Sequence, residues 1–169
     1  MTIEDHHGLH KGETMSQAKL EKLIGEIAAS IGDKPVDEDL AGFLNQSFDE
    51  GGETFKAVEA LCHEGEADGW LCGREMGGIK FGRLIKPGGA AGKFSVDVVR
   101  MKDVKGPHHI HPTGEIGMII PIEGDPKFDG VGRGWYVDPP GSDHWPTVEG
   151  GDAYVLYLLP DGAIEFTGK

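Results

Sequence analysis

Apolar residues recur along residues 16–31 at Leu20, Leu23, Ile24, Ile27 and Ile31, the spacing that lines one face of a helix. Gly32 and Pro35 end that pattern. Asp37 is placed to cap a second, shorter helix carrying Leu40, Phe43 and Leu44. A third is expected from about Thr54 to Cys62, with Phe55, Val58, Leu61 and Cys62 on its inner side. After Gly69 the period changes. Residues 79–85, 94–100, 117–122, 134–137 and 153–159 are β-branched or aromatic runs bounded by Gly, Pro and Asp. Strands at that spacing with no helix between them mean a sandwich or barrel. The expected fold is therefore mainly β: a sandwich or barrel over residues 74–169, with residues 15–73 a helical segment packed on it, α+β overall. Residues 1–14 are polar and aperiodic, and His6, His7 and His10 read there as part of a disordered tail rather than as a metal site.

Composition sharpens this picture. The 169 residues include 28 Gly and 10 Pro, roughly a fifth of the chain, against about 12% on average. Interior Gly and Pro cost a helix about 1 and 3 kcal/mol each, so a helical bundle is excluded for most of the length. Sixteen basic and 29 acidic residues leave a net charge of −13. A field of that sign repels phosphate backbones and anionic lipid, so neither nucleic acid nor a membrane is an expected partner. Cys62 and Cys72 are the only cysteines and form no CxxC; reduced structural thiols are expected. With no apolar stretch near the ~18 residues of a membrane span and no apolar signal region at the N-terminus, the expected location is the cytoplasm.

The chemistry concentrates in two segments. Gly106-Pro-His-His-Ile-His-Pro-Thr-Gly-Glu115 carries His109 and His111 two apart, so in a strand both imidazoles share a face and His108 takes the other. Glu115 shares their parity if the chain stays extended, although Pro112 and Gly114 favour a bulge. Asp138-Pro-Pro-Gly-Ser-Asp-His144 is a Pro/Gly turn that delivers one more His onto the next strand. Three imidazoles and a carboxylate form a donor set for a first-row divalent ion. An octahedral ion so held keeps two positions for water and substrate.

His109-Ile-His111-Pro-Thr-Gly-Glu115 and Pro139-Pro-Gly141-Ser-Asp-His144 resemble the two signature motifs of the cupin superfamily. The resemblance implies a double-stranded β-helix (jelly-roll) barrel over residues 79–167 and one divalent transition metal, Fe, Mn or Zn, on His109, His111, Glu115 and His144. It also implies a homodimer. Three positions depart from the pattern: Asp103 stands where a Gly is expected, the Gly after Glu115 arrives late as Gly124, and Val148 replaces a closing Asn. None of them removes a ligand; they bear on loop geometry. Residues 69–75, 94–99, 106–115 and 156–166 further resemble the bacterial 4-hydroxylaminobenzoate lyases of nitrobenzoate breakdown, as does the helical third. That likeness implies conversion of 4-hydroxylaminobenzoate to 3,4-dihydroxybenzoate and ammonia, with Glu115 as ligand, general acid/base or both.

A substrate carboxylate calls for a cation, and the planar fork of Arg suits it. Arg83 continues the row Ile79, Phe81, and Arg100 the row Phe94, Val96, Val98, so either is expected to point into the barrel unless it pairs with one of the many acids. Arg74 and Arg133 are further candidates, and Trp135, Tyr136 and Trp145 are candidate walls of an aromatic pocket. The same donor set would serve an Fe(II) dioxygenase acting on a small aromatic or thiol, or a metal-bearing binding module without turnover. Oxygen consumption and product formation distinguish these.

Overall fold

The computed structural model describes residues 13–169; His6, His7 and His10 lie outside them. Three helices, α1 (Met15–Ile31), α2 (Glu38–Ser47) and α3 (Glu53–Asp68), precede nine strands. The helix starts follow local chemistry. Thr14 accepts a hydrogen bond from the Gln17 amide at 3.0 Å, and Asp37 from Leu40 at 3.2 Å, each satisfying an amide that the first turn leaves unpaired. The third helix runs six residues past Cys62, the end expected from its apolar spacing. The extension is polar, and it is held by packing that spacing does not reveal: a Cβ on Gly65 would stand 2.7 Å from the Trp70 ring, so this glycine is the slot in which the indole lies.

The strands are β1 (Arg74–Met76), β2 (Ile79–Ile85), β3 (Phe94–Lys105), β4 (His109–His111), β5 (Glu115–Phe128), β6 (Gly134–Asp138), β7 (Ser142–His144), β8 (Thr147–Pro160) and β9 (Glu165–Phe166). They form a six-stranded sheet, β1-β2-β3-β8-β5-β6, and a three-stranded sheet, β7-β4-β9, with antiparallel pairing throughout. This is the mainly β, two-sheet architecture with N-terminal helices that the sequence pattern predicts. No helix among the described residues is long and apolar enough to cross a membrane.

Alternation divides the large sheet. Val96 and Val98 of β3, Ile116, Met118 and Ile120 of β5, Trp135 of β6 and Tyr154, Leu156 and Leu158 of β8 join one cluster with the buried sides of the three helices. The intervening Met101, Ile119, Tyr136 and Val155 form a smaller inner cluster with Phe128 and Val148. Asp103, in place of the expected Gly, adopts φ 43°, and its carboxylate accepts the amides of Gly150 and Gly151 at 2.7 and 3.2 Å. Asp is among the few residues other than Gly that visit this left-handed conformation, and here its carboxylate pins the Gly150-Gly151 turn across the sheet.

Candidate metal centre

The site is assembled from both sheets. His109 and His144 are direct cross-strand partners in the small sheet, so their side chains lie on one face; His111, two residues along β4, shares it. Glu115 does not continue that strand. The chain turns at Gly114, whose amide bonds the His111 carbonyl at 3.1 Å, and Glu115 opens β5 in the large sheet. Gly114 has φ 90°, and a Cβ there would meet Val36 at 2.7 Å and the Asp138 carbonyl at 2.9 Å. The carboxylate thus reaches the imidazoles through a glycine turn between sheets rather than by strand parity.

One donor atom from each of His109, His111, Glu115 and His144 falls within 4.8 Å of all the others. The three Nε2 atoms form a triangle with sides of 3.0, 3.0 and 2.8 Å, and Glu115 Oε1 is 3.2 Å from His111 Nε2. For two of the three imidazoles, the outer nitrogen fixes what the inner one presents, while His111 Nδ1 is buried without a partner. His109 Nδ1 faces the Pro107 carbonyl at 3.2 Å, which can only accept, so Nδ1 carries the proton and Nε2 a lone pair. His144 Nδ1 faces the Asp129 carboxylate at 2.6 Å with the same result. Lone pairs 2.8 Å apart repel unless a cation lies between them. Burial, then the neighbouring His144, pushes His109 down to about 4; burial, then His109 and His144, pushes His111 down to about 3. Burial also opposes a charge on His144, but the Asp129 hydrogen bond and the nearby carboxylates outweigh it and raise its pKa. His144 is therefore the corner at which a proton is favoured when no metal ion takes its place. The residues fit a divalent ion, since one at the usual metal–nitrogen distance of about 2.0–2.1 Å touches every corner of a triangle this small.

Glu115 is 2% exposed, and burial pushes its pKa up to about 8 against the lowering effect of a Tyr136 hydrogen bond. The Tyr136 hydroxyl donates to Glu115 Oε2 at 2.6 Å, leaving Oε1 to face the histidines. Gly117 makes this possible. It is the cross-strand partner of Tyr136, and a Cβ on it would lie 2.0–2.3 Å from the Tyr136 ring and hydroxyl.

The cluster opens into a cavity of about 610 Å³ with walls that include Ile79, Phe81, Val99, Met101, Phe128 and Val155. Met76 and Phe166, 73% and 64% exposed, stand at its mouth. His108, on the opposite face of the first motif, bonds Asp143 at 2.7 Å and Thr167 at 2.6 Å and so ties the small sheet together.

The remaining expected residues fall elsewhere. Arg83 does lie on the inner row, but it forms a paired contact with Asp97 at 3.1 and 3.3 Å and borders, with Arg74, a separate cavity of about 460 Å³. Arg100 does not point into the barrel. Its row is the helix-facing one, and its guanidinium bonds Asp152 and Glu66, both at 2.7 Å. Arg133 is bound to Glu59 at 2.8 Å. Trp135 is in the helix-facing core, where it donates to the Phe48 carbonyl. Trp145 is 42% exposed, beside His108 and outside the cavity walls. Tyr136 acts on Glu115 rather than lining the cavity. Sequence reasoning missed Asp129, Gly117, Tyr157 and Lys105. Asp129 had a signal in its Asp-Gly turn directly after a strand.

Residues 22–166 match the family described as 4-hydroxylaminobenzoate lyase (PnbB). A 4-hydroxylaminobenzoate lyase of Nocardioides sp. (strain LMS-CY) is 34% identical over 76% of this chain and 82% of its own length. One of Pseudomonas putida is 29% identical over 88% of this chain and 96% of its own. Among solved structures, an RmlC-like cupin from Shewanella frigidimarina NCIMB 400 is 19% identical over 52% of this chain and 80% of that one, with a TM-score of 0.39. With the family match spanning nearly the whole described chain and the cupin motif residues gathered at one point inside a two-sheet barrel, the chain belongs to the 4-hydroxylaminobenzoate lyase family.

Proposed function

We propose that this lyase is metal-dependent and converts 4-hydroxylaminobenzoate to 3,4-dihydroxybenzoate and ammonia. The observation that carries the reading is the convergence of three imidazole nitrogens and one carboxylate at the floor of an apolar cavity, in a chain of this family. The conversion adds one water and releases one ammonia without net electron transfer. What a divalent ion supplies when bound is Lewis acidity toward an oxygen.

The chain's own residues do the rest. His109 and His111 stay unprotonated at neutral pH because burial disfavours their cationic forms. Pro107 and Asp129 hold the rings of His109 and His144. Tyr136 keeps its proton on the hydroxyl, directed at Glu115 Oε2. That contact ties Oε2 to a donor and leaves Oε1 as the atom free to ligate, so Glu115 serves as a ligand. The apolar walls seat the aromatic ring and exclude bulk water from a bond-breaking step that develops charge on it.

The test is metal analysis of the purified protein beside an anaerobic assay that follows ammonia and 3,4-dihydroxybenzoate. Equimolar products without oxygen, lost on chelation and restored by Fe, Mn or Zn, are expected. Full turnover by chelated protein would remove the metal from the reading, and an absolute need for oxygen would replace the lyase with a dioxygenase.

A further inference from the structure

One lysine borders the cavity at its exposed rim, and no arginine does. Beside His109, Glu115, His144 and Tyr157, the only charged residue among those that line it is Lys105. Of the arginines expected to bind a carboxylate, three are neutralised, Arg83 by Asp97, Arg100 by Asp152 and Glu66, and Arg133 by Glu59, and the fourth, Arg74, borders the separate cavity rather than this one. Lys105 forms no ion pair among the described residues. Its ammonium lies 5.0 Å from the centroid of the Trp145 ring, which in turn packs 4.3 Å from His108. The lysine is therefore steered by an aromatic face, which attracts a cation without neutralising it. In a chain with 29 acidic residues, an ammonium left unpaired beside an apolar cavity is a place for an anion from outside.

Its position is well defined. Lys105 ends β3 opposite Thr147 of β8, and the next amide, of Gly106, bonds the Pro146 carbonyl at 2.6 Å. A Cβ on Gly106 would stand 2.9 Å from the Pro146 ring, so the two segments touch. The polar groups run from His111 and Glu115, 0% and 2% exposed, outward to the exposed Lys105.

We propose that Lys105 binds the carboxylate of the aromatic substrate and so turns the opposite, hydroxylamine end toward His109, His111, Glu115 and His144. A substrate with its two functional groups para across one ring suits a site with a cation at the mouth and a nitrogen cluster at the floor. This inference rests on the function proposed above. It names a specificity determinant that an Arg-centred reading of the sequence overlooks.

The experiment compares metal-loaded wild type, Lys105→Met and Lys105→Arg in steady-state kinetics, with metal content and melting temperature as controls that stay at wild-type values. Loss of one charge-assisted contact is expected to raise KM for 4-hydroxylaminobenzoate about 10- to 100-fold in Lys105→Met, with kcat nearly unchanged. Lys105→Arg recovers most of the loss. With N-phenylhydroxylamine, which lacks the carboxylate, wild type and Lys105→Met behave alike. An unchanged KM in Lys105→Met, or an equal penalty with the carboxylate-free compound, overturns the inference while the lyase reading stands. If wild type turns over neither compound, the lyase reading falls, and calorimetric titration with benzoate decides the subsite. Affinity lost in Lys105→Met keeps it, and benzoate affinity equal in the two proteins, or absent from both, overturns it.

Discussion

Along β8, Tyr154, Leu156 and Leu158 pack beneath the helices, while Val155 and Tyr157, on the alternate positions, face the cavity. The same division runs through β3, β5 and β6, so one sheet carries two apolar faces with opposite uses. On the helix-facing side a charged group is neutralised where it stands: Arg100 lies between Asp152 and Glu66, and Tyr154 donates its hydroxyl to the same Glu66. On the inner side the Nε2 atoms of His109, His111 and His144 crowd within 3.0 Å of one another, and Lys105 meets no acid among the described residues. Burying polar groups costs free energy unless they are paired. Pairs completed within the fold mark scaffold, and groups left waiting for an outside partner mark the site.

The inner side should give the largest effect. Removing one corner of the triangle in His111→Ala should lower turnover by at least roughly 100-fold, the upper end of what even outer-shell changes cost a metal site. Metal content should fall with it. His111→Ala protein that keeps both would show that the triangle is scaffold too.

The outer face should respond in the opposite sense. Leu156→Ala removes a side chain 1% exposed beneath the helices and should destabilise the fold by about 2–5 kcal/mol. Bound metal and activity per folded molecule should stay near wild type. Chemical denaturation and metal analysis of the same preparation check both halves.

Gly117→Ala tests the seam between the faces. The added methyl occupies the slot of the Tyr136 ring, for a packing cost of about 1–3 kcal/mol, and it releases Glu115 Oε2. Activity should fall about 10- to 100-fold, as when other orienting partners are lost. Tyr136→Phe, which vacates the hydrogen bond but keeps the ring, should reproduce the kinetic loss with little of the instability. If Tyr136→Phe is fully active, the tyrosine is packing alone.

The smallest effect concerns protons. In the metal-free chain Glu115 titrates at about 8, whereas an unfolded Glu titrates near 4.3. Between those values the folded state keeps a proton that the unfolded state has released, so stability falls as pH rises and levels off above the folded value. Below about 6.5, His109 and His111, held at about 4 and 3, act in the opposite direction, because there the unfolded state binds the extra protons. The melting temperature of chelated protein should therefore decline from pH 6.5 to 8, and Glu115→Gln should flatten much of that decline. An undiminished slope in the variant would assign it to His144 instead.

Much of the fold is legible in local pattern because helix and strand periods differ and each buries one stripe. Leu20, Ile24, Ile27 and Ile31 are all buried on α1 as their spacing requires, and Asp37 caps α2. The four candidate ligands are legible for a related reason: two imidazoles two apart on a strand must share a face. Pattern fails where two surfaces are both apolar. Phe94, Val96 and Val98 announce a buried row on β3 without saying which side of the sheet buries it, and helices cover that side, so Arg100 meets Glu66 of α3 rather than a ligand.

Local spacing, turn residues and donor chemistry were thus sufficient for three helices, a mainly β remainder and two histidine-bearing motifs, because each depends on neighbours within a few residues; the resemblance of those motifs implied the barrel and the full His-His-Glu-His set. Contacts across long sequence separations settled the rest: His109 opposite His144, Asp129 behind His144, the Gly117 slot that admits Tyr136, and the acids that meet Arg83, Arg100 and Arg133. Those depend on register and on which acids each cation meets, quantities that exist only once the two sheets and the helices have closed on one another.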